Sequence, residues 1–354
     1  MFGAHVALAG TIFVSDPDII GRIPYEWEYD VPSHCTPLTV DTVLTRSSDE
    51  AAAHVRAGRL AAFPTETVYG LGADAFQPEA VEGIFAAKGR PANNPLIVHL
   101  ADRAQIDRVA AACPASADRL LARFAPGPIT CIVPRHPGLP SVVTAELDTV
   151  GVRIPGHETA QAFLRACETP VAAPSANRSG RPSPTTWRAV QEDLDGRIAC
   201  ILQGNPTEAG VESTVVDCTA DPPAVLRPGA VPVEALEDAL GTVAVPDDEA
   251  EEDAPKSPGT KHRHYAPAAR VHVIEDPTEA DPAPAAAFIG FDPPPKGEFA
   301  AVRRPADVEA YAHAVFAFFR ECDRAGCTDI YAQRVPPAGL GRALNDRLTR
   351  AAAR

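Results

Sequence analysis

The sequence predicts an α/β protein of two domains: a larger one around a twisted, mixed, open sheet, and a smaller C-terminal β/α layer. Three observations carry this. Short apolar runs with strand character alternate with helical runs from residue 47 onward, as "RLAAF" precedes "PEAVEGIFAAKG". Near residues 198–228 several strand-like runs follow one another, which breaks the strict alternation of a doubly wound sheet. Between the two sets of elements lies "PDDEAEEDAPKSPGTKHRHYAPAA", acidic and then Pro-rich, with the composition of a linker. A chain of 354 residues is also long enough for two cores.

The first clear helix is "SSDEAAAHVRAG", where Ser47 and Glu50 have capping-box spacing and Gly58 stands where a helix-ending glycine belongs. "RLAAF" is then a buried strand stopped by Pro64. The next helix opens with Pro78 and closes at Gly89 and Pro91. "LIVHL", "ITCIVPR", "TVGVRIP", "PVAAPSA", "ACILQG", "STVVDCT" and "AVLRPG" read as strands. The helices between them are "DRLLARF", "ETAQAFLRAC", "TTWRAVQEDL" and "VEALEDAL". After the linker, "RVHVIED", "AAAFIGFD" and "DIYAQRV" alternate with "DVEAYAHAVFAFFRECDRAG" and "GLGRALNDRLTRAAA", a small Rossmann-like unit. The expected layout is an extension over residues 1–40, a catalytic domain over 41–240, a linker over 241–269 and an accessory domain over 270–354.

The balance of 47 acidic against 32 basic residues, a net charge of −15, argues against a general nucleic-acid coat or a binder of anionic membranes. Basic clusters are therefore informative. Eight cysteines (35, 113, 131, 167, 200, 218, 322, 327) are scattered with no C-x-x-C pair, and most sit in apolar runs, so free thiols in a reducing cytoplasm are expected. No apolar run approaches a membrane span. "AHVALAGTIFV" has the apolar character of a signal peptide but lacks a basic start and a small-residue cleavage site.

Lys88 and Arg90 end a helix in "AAKGRPANNPLIVHL". In isolation they read as a solvated, dipole-compensating pair that contributes little to stability. The rigid turn Pro91, Asn93, Asn94, Pro95 that follows favours the alternative, fixed donors around an anion. "FPTETVYGLGADAF" sets two Thr, a Glu and a Tyr after a buried strand, with Gly70 and Gly72 permitting close backbone approach; a hairpin or crossover turn reads equally well. No G-x-x-x-x-G-K-[ST] phosphate loop is present. "AAPSANRSGRPSPT" is a polar loop at a strand end, a frequent location for sites in α/β folds. In "GVESTVVD" and "VLRPG", Ser213, Thr214 and Arg227 need partners within apolar strands.

Taken together, "PTETVYGLG", "KGRPANNPLIVH", "VGVRIP", "PSAN" and "GVESTVVD", in this order, resemble the YrdC-like fold of the threonylcarbamoyl-AMP synthase family. The Lys-x-Arg pair (Lys88, Arg90) and the Ser-x-Asn pair (Ser175, Asn177) match its signature. "SPGTKHRHYAP" before a small domain is similar to the family's longer, two-domain form. The resemblance runs from about Ser47 to the C-terminus and leaves the first 40 residues aside. It implies an enzyme that joins L-threonine, bicarbonate or CO2, and ATP, releasing pyrophosphate. The product, threonylcarbamoyl-adenylate, feeds N6-threonylcarbamoyladenosine formation in tRNA through a downstream threonylcarbamoyl transferase complex. Mg2+ is expected with ATP, with no tightly bound cofactor, no dedicated metal ligands, no membrane and at most weak tRNA contact.

The resemblance also implies site roles. Lys88 and Arg90 would face the phosphates and the carbamate. Thr67, His99, Arg153, Ala173 and Ser213 would hold threonine, Arg153 pairing with its carboxylate. Asn94, Thr149, Ser175, Asn177, Ser183 and Arg227 would bind the nucleotide, and His264 and Tyr265 would reach back from the linker as part of a lid. These are positioning groups, as expected where three anionic groups converge; no Ser-His-Asp order or carboxylate pair demands a nucleophile. Two alternatives come from other classes: a carbamoyltransferase that forms carbamoyl-adenylate, and a non-catalytic RNA binder. The missing Cys pairs and the chain length count against the first, and the net charge opposes a broad footprint for the second.

Overall fold

A computed structural model describes residues 40–245 and 265–353. His264 and most of the expected lid segment lie outside the described residues. The larger sheet contains β1 (Val43–Thr45), β2 (Ala61–Phe63), β3 (Gly70–Asp74), β4 (Ile97–His99), β5 (Ile129–Pro134), β6 (Thr149–Arg153), β7 (Val171–Ala173), β8 (Cys200–Leu202), β9 (Thr214–Asp217) and β10 (Ala224–Arg227). Their order is β1-β8-β2-β3-β7-β4-β6-β5-β9-β10. Parallel pairs (β1 with β8, β2 with β8, β4 with β6, β5 with β9) mix with antiparallel ones (β2 with β3, β3 with β7, β4 with β7, β5 with β6, β9 with β10). This is the mixed sheet that the sequence predicts.

Both faces of this sheet are covered. Ala61, Phe63, Val171, Ala173, Cys200 and Leu202 pack under helices Ser48–Arg56 and Glu158–Cys167. The intervening residues, such as Ala62, Leu71, Val98, Cys131, Val152 and Ile201, pack under Pro78–Lys88, Ala115–Phe124, Trp187–Leu194 and Val233–Leu240. Two covered faces explain why these strands read as continuous apolar runs with no polar alternation.

β3 appears where a turn reads equally well, because its two glycines weaken the strand signal. They are needed there: a Cβ on Gly72 would stand 2.8 Å from Val171 Cγ1 and 3.1 Å from Phe63 Cε1. The capping box at Ser47 is only half formed. Ser47 Oγ accepts from the Glu50 N–H, but the Glu50 carboxylate takes the Thr45 hydroxyl, which in turn accepts the Ser47 N–H.

The second sheet is wholly parallel. It comprises β11 (Arg270–Ile274), β12 (Ala283–Ile289), β13 (Phe299–Arg303) and β14 (Asp329–Gln333), in the order β11-β14-β12-β13. Helices Val308–Ala325 and Gly341–Ala352 bury Tyr311, Phe316, Phe319, Leu344 and Leu348 in one cluster against it. Both sheets belong to one compact body. Gly210 packs directly on the first of these helices, where a Cβ would lie 2.3 Å from His313 Cα. Val68, from the loop after β2, joins the apolar cluster of the smaller sheet.

Candidate active site

Strand ends of the larger sheet and Tyr265 line a cavity that opens to solvent. Of the residues singled out from sequence, Arg90, His99, Arg153, Ala173, Ser175, Asn177, Ser213, Arg227 and Tyr265 line it. The register explains part of this grouping: His99 on β4 lies opposite Arg153 on parallel β6 and opposite Val171 on β7. Thr67 sits just behind the wall, where its hydroxyl accepts from Arg153 Nη2 at 2.9 Å. Ser183 is fully buried and donates to Glu212 Oε1 at 2.6 Å. Lys88, Asn94 and Thr149 are not among the lining residues.

Lys88 is only 3% exposed, which corrects the reading of it as a solvated helix end with little structural weight. Its ammonium donates to the Ser175 and Asn177 carbonyls, each at 2.5 Å, and so holds the Ser-x-Asn loop. Burial, and then the charge of Arg90, push its pKa well down. Within the loop, Ser175 Oγ donates to Asn177 Oδ1, and Asn177 Nδ2 donates to the Arg178 and Arg181 carbonyls. Arg90 Nη2 reaches the Pro95 carbonyl at 3.2 Å, its Nε is buried without a hydrogen-bond partner, and burial brings its pKa down to about 10. Asn94 is buried with Oδ1 unpartnered, and Thr149 starts β6 opposite Pro134.

Arg153 already has the carboxylate partner that its strand environment calls for: Glu66 Oε1 at 2.8 Å. Burial opposes charge on Glu66, but Arg153 outweighs it and keeps the carboxyl below its usual range. His99 is 4% exposed, and burial followed by Arg153 pushes its pKa to about 3, so its imidazole is neutral near pH 7. Arg227 donates to the Ser213 carbonyl at 3.0 Å and to Ser213 Oγ at 3.2 Å, and that hydroxyl also pairs with Thr130 Oγ1 at 2.8 Å.

Thr65, Glu66 and Tyr69 stand out from sequence only as residue types in "FPTETVYGLGADAF", with no role, and Glu212 does not stand out within "GVESTVVD". An acid in a stretch leading straight into an apolar strand, as in "GVESTVV", is the signal for a buried charge that needs an arginine. Arg347 supplies that arginine from the last helix, with Nε donating to Glu212 Oε2 at 2.7 Å. It sits in the apolar stripe Leu344, Arg347, Leu348, Ala351, a placement visible in sequence. Among the described residues no three His, Cys, Asp or Glu side chains gather where they could hold a metal ion.

Strand ends of a mixed sheet, with the turn after helix Pro78–Lys88, bring three guanidinium groups to one cavity, the setting of an α/β protein with a pocket suited to anionic ligands. A family model described as telomere recombination, covering Sua5, YciO and YrdC, matches residues 53–229. A second, the threonylcarbamoyl-AMP synthase C-terminal domain, matches residues 231–353. Threonylcarbamoyl-AMP synthase of Pyrococcus abyssi is 45% identical over 85% of this chain and 92% of its own length. The Bacillus subtilis protein of that name is 41% identical over 86% of this chain and 92% of its own. The crystal structure of P. abyssi Sua5 complexed with L-threonine matches with a TM-score of 0.81 at 41% identity, over 88% of this chain and 97% of that one. The chain belongs to the threonylcarbamoyl-AMP synthase family, in its form with the C-terminal domain.

Proposed function

We propose that this protein makes L-threonylcarbamoyladenylate from L-threonine, bicarbonate or CO2, and ATP. The observation that carries the reading is the convergence of Arg90, Arg153 and Arg227 on one cavity beside a neutral His99. The threonine amine nitrogen bonds to the carbon of CO2, one C=O π bond opens to give the carbamate oxygen its charge, and the displaced amine proton leaves to water. A carbamate oxygen then bonds to the α-phosphorus of ATP, the bond from that phosphorus to the β-bridging oxygen breaks, and pyrophosphate leaves. Each step brings anions together, so fixed cations and donors supply the catalysis and no protein nucleophile is needed.

In this reading Arg153, Thr67, His99, Ala173 and Ser213 hold threonine. Its carboxylate takes up the guanidinium donors that Glu66 and Thr67 leave over. Arg90, Lys88, Asn94, Thr149, Ser175, Asn177, Ser183, Arg227, His264 and Tyr265 serve the nucleotide and carbamate, with Lys88 acting through the loop it holds. Glu66 and Glu212, the carboxylates beside the cavity, are both held by arginines and form no magnesium cage; Mg2+ would travel on the ATP phosphates.

Residues 41–240 would form the catalytic domain and 270–354 the accessory domain, joined by 241–269, with 1–40 an extension. No helix among the described residues is long and apolar enough to cross a membrane. We place the reaction in the cytoplasm, upstream of a complex that transfers the threonylcarbamoyl group to tRNA. The test is pyrophosphate release from ATP and bicarbonate with and without L-threonine, with mass detection of the adenylate. Release that ignores threonine, or that needs carbamoyl phosphate, overturns the reading.

A further inference from the structure

Behind Glu212 in the cavity wall lies a charge that the larger sheet does not supply. Arg347 belongs to the last helix, Gly341–Ala352, yet its side chain is fully buried. Its Nε donates to Glu212 Oε2 at 2.7 Å and its Nη2 to the Pro228 carbonyl at 2.9 Å, while Nη1 pairs with Asp346 on its own helix. The guanidinium carbon stands 5.2 Å from the centre of the Tyr265 ring. One side chain thus touches three cavity segments that are far apart in sequence: the stretch at Glu212, the turn after Arg227, and Tyr265.

Glu212 passes the contact on. Its second oxygen accepts from Ser183, so the line Arg347–Glu212–Ser183 runs from the last helix to the end of the Ser-x-Asn loop. The turn after Arg227 has no slack, because a Cβ on Gly229 would lie 2.3 Å from the Ser213 carbonyl carbon. Burial opposes charge on Arg347, but Tyr265, Glu212 and Asp346 outweigh it and raise its pKa above the usual value. Burial likewise opposes charge on Glu212, and Arg347 and Arg227 outweigh it, so both groups are charged.

We propose that Arg347 is a positioning residue for nucleotide binding: through Glu212, Pro228 and Tyr265 it fixes one side of the cavity, making the last helix a working part of the site. The proposal rests on the nucleotide reading of that side given above. A purely structural arginine would affect both substrates alike, whereas of the residues these contacts reach, Ser183, Arg227 and Tyr265 are assigned to the nucleotide and only Ser213, the chain neighbour of Glu212, to threonine.

The test uses the full chain and two readouts, steady-state KM for each substrate and ATP affinity by calorimetry. Arg347→Met is expected to raise the ATP KM and Kd about tenfold or more and leave the threonine KM within about twofold. Arg347→Lys, which keeps the charge but loses the fork, is expected to recover part of the loss. Glu212→Gln combined with Arg347→Met removes both charges together and avoids an unpaired buried carboxylate, so it carries the test if the single variant does not fold. Its ATP defect is expected to be no larger than that of the worse single variant, since the two residues act as a unit. Wild-type ATP affinity in the folded double variant overturns the proposal. So does an equal rise for both substrates, or single effects that multiply. If the wild-type chain binds ATP but releases no threonine-dependent pyrophosphate, the assigned reaction fails, and calorimetry still decides the role of Arg347.

Discussion

Asp193 offers a sharp test of how the smaller sheet unit steadies the loop that bears Ser175 and Asn177. Its carboxylate is fully buried and meets two arginines. Arg320, on helix Val308–Ala325, donates through Nη2 at 2.8 Å with only 7% of its side chain exposed, and Arg181 donates at 2.6 Å with 53% exposed. Arg320 Nη2 also reaches the Pro182 carbonyl at 2.6 Å. Removing Arg320 leaves this buried carboxylate with the half-exposed Arg181 as its one remaining arginine, so the loss approaches, and does not exceed, the cost of breaking a buried pair, about 3–5 kcal/mol. Losing the half-exposed Arg181 leaves the carboxylate with its buried partner Arg320, so that loss lies nearer the worth of a solvent-exposed pair, about 0–1 kcal/mol. Arg320→Met should therefore lower Tm by about 6–10 °C and Arg181→Ala by about 0–2 °C, taking about 2 °C per kcal/mol for a chain of this size. Thermal melts followed by circular dichroism read the difference. The sign with pH follows from Asp193, whose carboxyl Arg320 and Arg181 hold below its usual range despite burial. Its contribution is full above the unfolded value of about 3.9 and fades as pH falls below it, so the gap between the two variants should be constant from pH 7 to 5. Equal shifts for the two variants, or a loss under about 1 kcal/mol for Arg320→Met, would refute the argument.

Further expectations follow from the cavity itself. Arg90→Ala should abolish most adenylate formation at little cost in Tm, whereas Lys88→Met should lose activity and also about 1–3 kcal/mol of stability as two loop carbonyls lose their donor; denaturant titration separates the two. Arg153→Ala should raise the threonine requirement far more than the ATP requirement, and equal effects would assign Arg153 to the fold or the nucleotide. His99 should stay neutral from pH 8 to 5, which NMR titration of its imidazole can read. Because the unfolded chain protonates this histidine near pH 6.5 and the folded chain only near 3, its burial should cost stability as pH falls from about 6.5 toward 3.

How far the fold could be read from sequence depended on how local each signal is. Capped helices such as Pro78–Lys88, with proline at its start and left-handed Gly89 at its end, announce themselves, and so do the doubly buried strands Ile129–Pro134 and Thr214–Asp217. Two strands were not legible. Val43–Thr45 is a three-residue edge strand with Val43 and Leu44 exposed, and in Phe299–Arg303 most side chains face outward, so neither carries a sustained apolar pattern. Gly70–Asp74 was ambiguous for the opposite reason: its packing against Phe63 and Val171 requires glycine, the residue that most weakens strand propensity.

The site divides along the same line. Residues carried by compact motifs reach the cavity because His99, Arg153, Ser175, Asn177 and Ser213 stand at or just beyond strand ends and Arg90 in the turn that closes helix Pro78–Lys88, where side chains converge whatever the intervening sequence. Their partners did not stand out, because pairing is settled by tertiary contact. Glu66 serves Arg153 from 87 residues away, and Arg347 serves Glu212 from 135. The composition of "GRALNDRLTRAA" gives Arg342, Arg347 and Arg350 equal standing; only the stripe shared with Leu344 and Leu348 sets Arg347 apart. A buried arginine on an apolar stripe has to find an acid or a carbonyl, and in an acidic chain it has many choices. The acid it finds lines the cavity. That choice ties the last helix of the chain to the site, so changes in the C-terminal unit should reach the chemistry through Glu212 and not through stability alone.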